Sequence, residues 1–149
     1  MLAGNMQPST RAQLDPRLLD KGPQMNADEL VSRYKAGERD FGDAFLAGVD
    51  LRGVDLSGIM LRGANLRFAN LREATLVDAD LREADLYEAN LRGTILRNAN
   101  LTNAILWLAE TLDAHFERAN LQGAKIASVQ LSRAASAAGA VMPDGAKRP

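Results

Sequence analysis

The sequence predicts an all-β solenoid, a four-sided coil stacked on itself, and three observations predict it. A large apolar residue recurs at every fifth position, from Phe41, Leu46, Leu51 and Leu56 through Leu121, Ile126 and Leu131, with Thr111 the one polar occupant. A smaller series lies two residues before each of these. It is mostly alanine (Ala44, Ala64, Ala69, Ala74), with Val49, Val54, Ile59, Thr94 and Val129 as variants. The position just before the large residue is often Asp or Asn, as at Asp50, Asp55, Asn65, Asn70, Asp80, Asp85 and Asn90.

Regular elements cannot bury a period of five. Five steps along an α-helix leave a net rotation of about 140°, which smears the leucines around the axis. Five steps along a flat strand alternate faces, because the strand period is two. A chain that turns a corner every five residues points both apolar series at a common axis. Four such sides close a square, so one coil uses about twenty residues and stacks on the next at the strand spacing of about 4.8 Å. Each coil then satisfies the backbone N–H and C=O groups of its neighbour. Alanine lets the backbone approach the axis, leucine fills the centre, and the short polar side chains bond to backbone at the turn.

The runs Ala64-Asn65-Leu66-Arg67-Phe68, Ala69-Asn70-Leu71-Arg72-Glu73, Ala79-Asp80-Leu81-Arg82-Glu83 and Ala84-Asp85-Leu86-Tyr87-Glu88 carry a family likeness. They resemble the pentapeptide-repeat family, with its A-(D/N)-L-x-x consensus, and the resemblance covers roughly residues 40 to 135. It implies a right-handed quadrilateral parallel β-helix. It implies little about function, because members of the family do unrelated things.

Residues 1–25 read as a flexible N-terminal arm, with Pro8, Pro16 and Pro23 and no sustained period. Leu14, Leu18 and Leu19 could supply a short docking turn there. Residues 26–39 read as a capping α-helix. Asn26 caps it, Glu29 completes a capping box, Leu30, Val31 and Tyr34 form its apolar stripe, and Gly37 stops it. Such a helix covers the unpaired edge of the first coil. The repeat then fills residues 40–135 with about five coils. Residues 136–149 read as a closing turn, Val141 to Gly145, followed by a loose Lys147-Arg148-Pro149. At Thr111 two readings stand: a polar residue tolerated inside with Leu112 exposed, or a local bulge that bends the stack.

The chain has 149 residues, a formal net charge of −1, one histidine and no cysteine. A near-neutral, mixed surface sets up no global field for nucleic acid. The absence of cysteine excludes a disulfide framework and, with His115 alone, the usual Zn²⁺ sites. His115 sits in the turn position before Phe116, as a structural or solvent-facing residue. No phosphate-binding glycine loop and no cofactor motif is present, so no enzymatic activity, metal or cofactor is expected. No stretch reaches the length of a membrane span, and no secretory signal opens the chain, which gives a cytoplasmic location by default.

A packed core leaves function to the outer sides. Residues twenty apart fall in columns, and one side collects Phe68, Tyr87, Trp107, Leu108 and Ile105, rimmed by Arg67 and Glu88. An apolar patch of this kind is the form expected of a contact with a protein partner, or of a homodimer across a two-fold. The plainer alternative is scattered surface apolar residues, with Tyr87 stacked on Trp107. A basic column of Arg52, Arg72 and Arg92 forms a second candidate surface, for an acidic partner or phosphates. The plain alternative there is a solvated ion-pair surface, with Glu73 for Arg72 and Glu83 for Arg82.

The reading is a non-catalytic protein–protein interaction module: a rigid scaffold, adaptor or linker subunit. Many members of the resembled family are cyanobacterial, which suggests a large photosynthetic or regulatory assembly. The alternative is a DNA-mimicking protein that binds topoisomerase (gyrase). The arginine columns, the near-neutral charge and the small number of coils depart from that pattern.

Overall fold

The structure is a computed structural model that describes residues 24–149. Its frame is a ladder of single-residue parallel bridges between positions twenty apart: Phe45 to Asn65, Asn65 to Asp85 and Asp85 to Ile105 on one side, with equivalent series from Asp50, Asp55 and Asp40. Each side is too short for an extended strand, so one bridge per side per coil replaces a conventional sheet. The hydrogen bonds follow. The Leu66 N–H donates to Asp85 O at 2.8 Å, and the Asn65 N–H donates to Ala44 O at 2.9 Å.

Every corner is a four-residue turn. After Phe41 the Ala44 N–H closes back on Phe41 O at 3.2 Å, and the pattern repeats at Leu46 with Val49 and at Leu66 with Ala69. The second residue after the large one takes positive φ, as in a type II turn. The Asp/Asn position acts at the same corner: Asn65 Oδ1 accepts from Arg67 N–H at 3.1 Å, and Asp85 Oδ1 from Tyr87 N–H at 3.1 Å. The large and small series are buried together, Leu46 to Leu106 being fully inaccessible.

The expected arm lies outside the described residues as far as residue 23, with Leu14, Leu18 and Leu19. Gln24 and Met25 belong to the coil. Gln24 bridges Phe45 in parallel, its side-chain amide donates to Ala47 O at 2.6 Å, and the Met25 N–H donates to Phe45 O at 2.8 Å.

The helix Ala27–Lys35 is capped by Asn26, whose side chain accepts from Glu29 N–H at 2.8 Å. The Glu29 carboxylate faces Arg33 at 3.5 Å. At the other end Gly37, at φ 105°, lets its own N–H reach Tyr34 O and the Glu38 N–H reach Arg33 O. These paired bonds make a Schellman stop. Leu30 is fully buried in the core cluster, and Tyr34 Oη donates to Ser57 O at 2.7 Å, which pins the helix across the first coil.

The C-terminal end differs from expectation. A short helix, Ser128–Arg133, replaces one side of the last coil. Beyond it the ladder resumes one residue out of step: His115 bridges Ser136 and Asn120 bridges Val141. The solenoid therefore continues past residue 135. The final residues are held too, since the Arg148 N–H donates to Ala140 O at 2.7 Å and the Gly139 N–H donates to Arg148 O at 2.9 Å. Val129, expected in the inward alanine series, is turned outward by the helix and is exposed.

Thr111 is buried and Leu112 exposed, with Glu110 still paired to Asn90, so the stack keeps its phase without a bulge. The polar side chain has a partner on the inserted helix: Thr111 Oγ1 donates to Gln130 O at 2.6 Å.

Candidate interaction face

The side built on Phe45, Asn65, Asp85, Ile105 and Lys125 carries the predicted apolar residues, in two groups. The lower group is centred on Arg67, whose side chain is 7% exposed and lies inside the cluster, not on its rim. Its guanidinium donates to Asp85 at 3.1 Å and stands over the Tyr87 ring at 4.3 Å and the Phe68 ring at 5.5 Å. Tyr87 meets Phe68 edge to face, with centroids 5.9 Å apart. The cation is thus held by one carboxylate and two ring faces, which offsets its desolvation. Phe68 remains 47% exposed.

The upper group is Trp107, 46% exposed, and Leu108, 64% exposed. Ile105 is half-buried in the ladder between Asp85 and Lys125. A shallow groove runs between Trp107, Leu108 and the inserted helix, walled by Val129, Gln130 and Arg133. Val129 and this wall were hidden from the periodicity, because the sequence keeps its five-residue phase through the helix. The signal that could have revealed them is Thr111, a hydroxyl at the axis that needs an acceptor, which Gln130 O of the helix supplies.

Phe68 and Leu108 share a further property. Both sit at the left-handed corner position, each at φ 60°, in the column where Gly48 also stands. An L-residue with a bulky side chain is disfavoured there by roughly 1–2 kcal/mol. Folding alone favours glycine, asparagine or aspartate. Replacing Leu108 by glycine is expected to raise the unfolding free energy by about 1 kcal/mol, measured by urea denaturation. A loss of stability would show that Leu108 contributes packing which its exposure does not suggest.

The arginines of the two basic columns are paired. Arg52 forks onto Asp50 with contacts of 2.9 and 2.8 Å, Arg72 reaches Glu73 at 3.3 Å, and Arg92 approaches Glu110 at 3.8 Å. Arg82 takes Asp80 at 2.5 Å, while Glu83 crosses to Arg62 of the coil below at 2.8 Å. The arginine column is geometrically an ion-pair surface. His115 Nδ1 lies 3.2 Å from Glu117 on the exterior.

The hydrogen bond from Arg82 holds the Asp80 carboxyl below its ordinary range, and the Arg52 fork does the same for Asp50. A depressed folded-state pKa adds stability above the unfolded value of about 3.9 and loses it as pH falls through the folded value. Urea midpoints are therefore expected to hold from neutral pH to about 5 and to fall below about 4. Asp80→Asn should flatten part of that fall, and an unchanged profile in this variant would dissociate the pair from acid sensitivity.

The four-sided ladder, the corner turns and the packed axis define a repeat protein of the quadrilateral β-helix class. The family profile described as pentapeptide repeats (8 copies) matches residues 38–67, 64–103 and 96–134, and the chain belongs to the pentapeptide repeat family. Solved structures share the fold. A pentapeptide repeat protein from the Arabidopsis thaliana thylakoid lumen is 34% identical over 58% of this chain and 60% of its own, with a TM-score of 0.57. Rfr23, from the cyanobacterium Cyanothece 51142, is 38% identical over 56% of this chain and 57% of its own, with a TM-score of 0.51. QnrB1, a plasmid-mediated fluoroquinolone resistance protein, is 23% identical over 56% of this chain and 44% of its own, with a TM-score of 0.52. The chain thus spans under two thirds of each of these proteins. No curated protein sequence matches it. Among the described residues no helix is long and apolar enough to cross a membrane.

Proposed function

We propose that the chain is a non-catalytic contact module, a rigid scaffold or adaptor subunit, that meets a protein partner through the side bearing Phe68, Tyr87, Trp107 and Leu108. The observation that carries this reading is the placement of two exposed large apolar residues, Phe68 and Leu108, at left-handed corners. Neither the core nor the ladder requires them. Backbone strain at an exposed apolar position supports a role outside folding. The Arg67–Tyr87–Phe68 cluster supplies the rigid aromatic and arginine anchors typical of contact hot spots. A thylakoid-lumen relative and a cyanobacterial one suit a place in a photosynthetic or regulatory assembly. A chain without cysteine suits a reducing compartment such as the cytoplasm.

Capture of partners from the native host by the wild-type chain and by a Phe68→Ala/Trp107→Ala variant tests the reading. A specific partner lost with the variant is the expected result, and an identical set of captured proteins overturns it. The gyrase-binding alternative has little to favour it here, because a DNA mimic needs a dominant negative surface. Arg52, Arg62, Arg72 and Arg82 on the sides of this chain are instead matched by carboxylates. Gyrase supercoiling is expected to be unaffected by excess protein.

A further inference from the structure

We propose that the Trp107 end of this side is occupied by a second copy of the chain, antiparallel, across a two-fold axis through the coil of Trp107 and Leu108. The inference rests on the reading of this side as a contact surface and commits to what covers one end of it.

The centre of the patch is apolar and open. Trp107, Leu108 and Val129 are exposed, and the residues one coil above Trp107 and Leu108 are the small Ala127 and Ser128, which leave the indole and the isobutyl group uncovered. Arg133 walls the groove on the side of the inserted helix, and two further charges of opposite sign, Glu88 and Lys125, lie at equal distance from the centre along the solenoid. Glu88 lies one coil below Leu108 in the same corner column, and Lys125 bridges Ile105 one coil above. Both are exposed, and neither has an ion-pair partner among the described residues. Arg52, Arg62, Arg72, Arg82 and Arg92 elsewhere on the solenoid all have one.

A two-fold axis perpendicular to the side reverses the order of coils. It sets the coil of Glu88 against that of the partner subunit's Lys125, and the symmetry forms the pair twice. A two-fold along the solenoid axis would instead set each coil against its own copy and keep Glu88 and Lys125 two coils apart, so neither charge would gain the other as a partner. The equal spacing of opposite charges about an apolar centre is therefore the arrangement that one antiparallel copy satisfies. The apolar centre excludes water and the charges form the rim, the usual anatomy of such an interface. Phe68 lies two coils below the axis. The position opposite it falls beyond Lys125, where the column ends, so the dimer leaves the Phe68 end open to a different partner.

Sedimentation of the full chain over a micromolar dilution series tests this. The wild type is expected to dimerise reversibly. Glu88→Lys or Lys125→Glu alone should weaken the dimer by about ten-fold, and the two together should restore it. Leu108→Asp should be monomeric, while Phe68→Ala should dimerise as the wild type does. A wild type that stays monomeric overturns the proposal, as does a dimer indifferent to the charge reversals or one that the double reversal fails to rescue. The two readings separate in their failures. A monomeric wild type whose partner is still lost with Phe68→Ala/Trp107→Ala removes the second copy and keeps the contact surface. A dimer that obeys the charge reversals with unchanged partner capture removes only the other partner.

Discussion

Truncating Leu86 to alanine is expected to lower the unfolding free energy by about 2–5 kcal/mol, read as a shift in the urea midpoint by circular dichroism. Leu86 is fully buried in the middle of the stack, in a column with Leu66 below and Leu106 above, both fully buried. The loss has two parts, the transfer free energy of the removed carbons and the cavity left behind. A coil of single-residue bridges can do little to collapse onto that cavity, because its backbone is fixed from both sides by hydrogen bonds such as Leu66 N–H to Asp85 O and Leu86 N–H to Ile105 O. In a solenoid each coil is stabilised through its neighbours, so a central lesion weakens two interfaces at once. The same change at Ile126, 8% exposed in the last coil, should cost distinctly less. Equal losses at the two positions would show that the stack does not behave as a chain of nearest-neighbour contacts.

Replacing Gln130 by alanine is the second large expected effect, a loss of about 3 kcal/mol. The Gln130 amide donates to Leu106 O at 2.6 Å and Ala109 O at 2.9 Å, and accepts from the Ala127 N–H at 2.8 Å. Gln130 is buried, so the variant strips partners from backbone groups at the axis of the coil beneath. Buried polar groups left in this way carry most of the cost. Hydrogen exchange should show Ser128–Arg133 opening ahead of the solenoid. Gln130→Glu should be at least as damaging, because a carboxylate would face two carbonyl oxygens. Thr111→Val, which removes only the bond to Gln130 O, should cost about 1 kcal/mol. Protection of the helix unchanged in Gln130→Ala would show that packing of Leu131, not the amide, holds it.

The legible part of this chain was whatever the repeat controls. A large apolar residue every fifth position admits only a coil with corners. Because four sides make twenty residues, the ladder register and the columns followed without further information. Phe68, Tyr87, Trp107 and Leu108 fell on one side for that reason alone. Three features escaped, through two physical causes. Arg67 was placed on the rim, since nothing in its spacing shows that Asp85, Phe68 and Tyr87 enclose it. Val129 was read as an inward residue, since Ile126 and Leu131 hold the five-residue phase across a segment that turns helical. The one-residue slip to Ser136 and Val141 followed from that helix and was hidden with it. Thr111 was the single visible trace: a hydroxyl at the axis needs an acceptor, and Gln130 supplies one.

The slip has a consequence for growth. Below Lys125 the molecule is periodic in one dimension, like a narrow crystal whose unit cell is one coil, and periodic lattices add further units at an open face. Ser128–Arg133 acts as a dislocation in that lattice. It fills one side with a helix, offsets Ser136 and Val141 by one residue, and folds Val141 back on Lys147 in an antiparallel bridge. An incoming coil of any other chain would find one edge helical and one edge already occupied. The irregular end thus offers fewer open edges than the body of the stack, and Thr111 and Gln130 tie its helix down to the coil beneath.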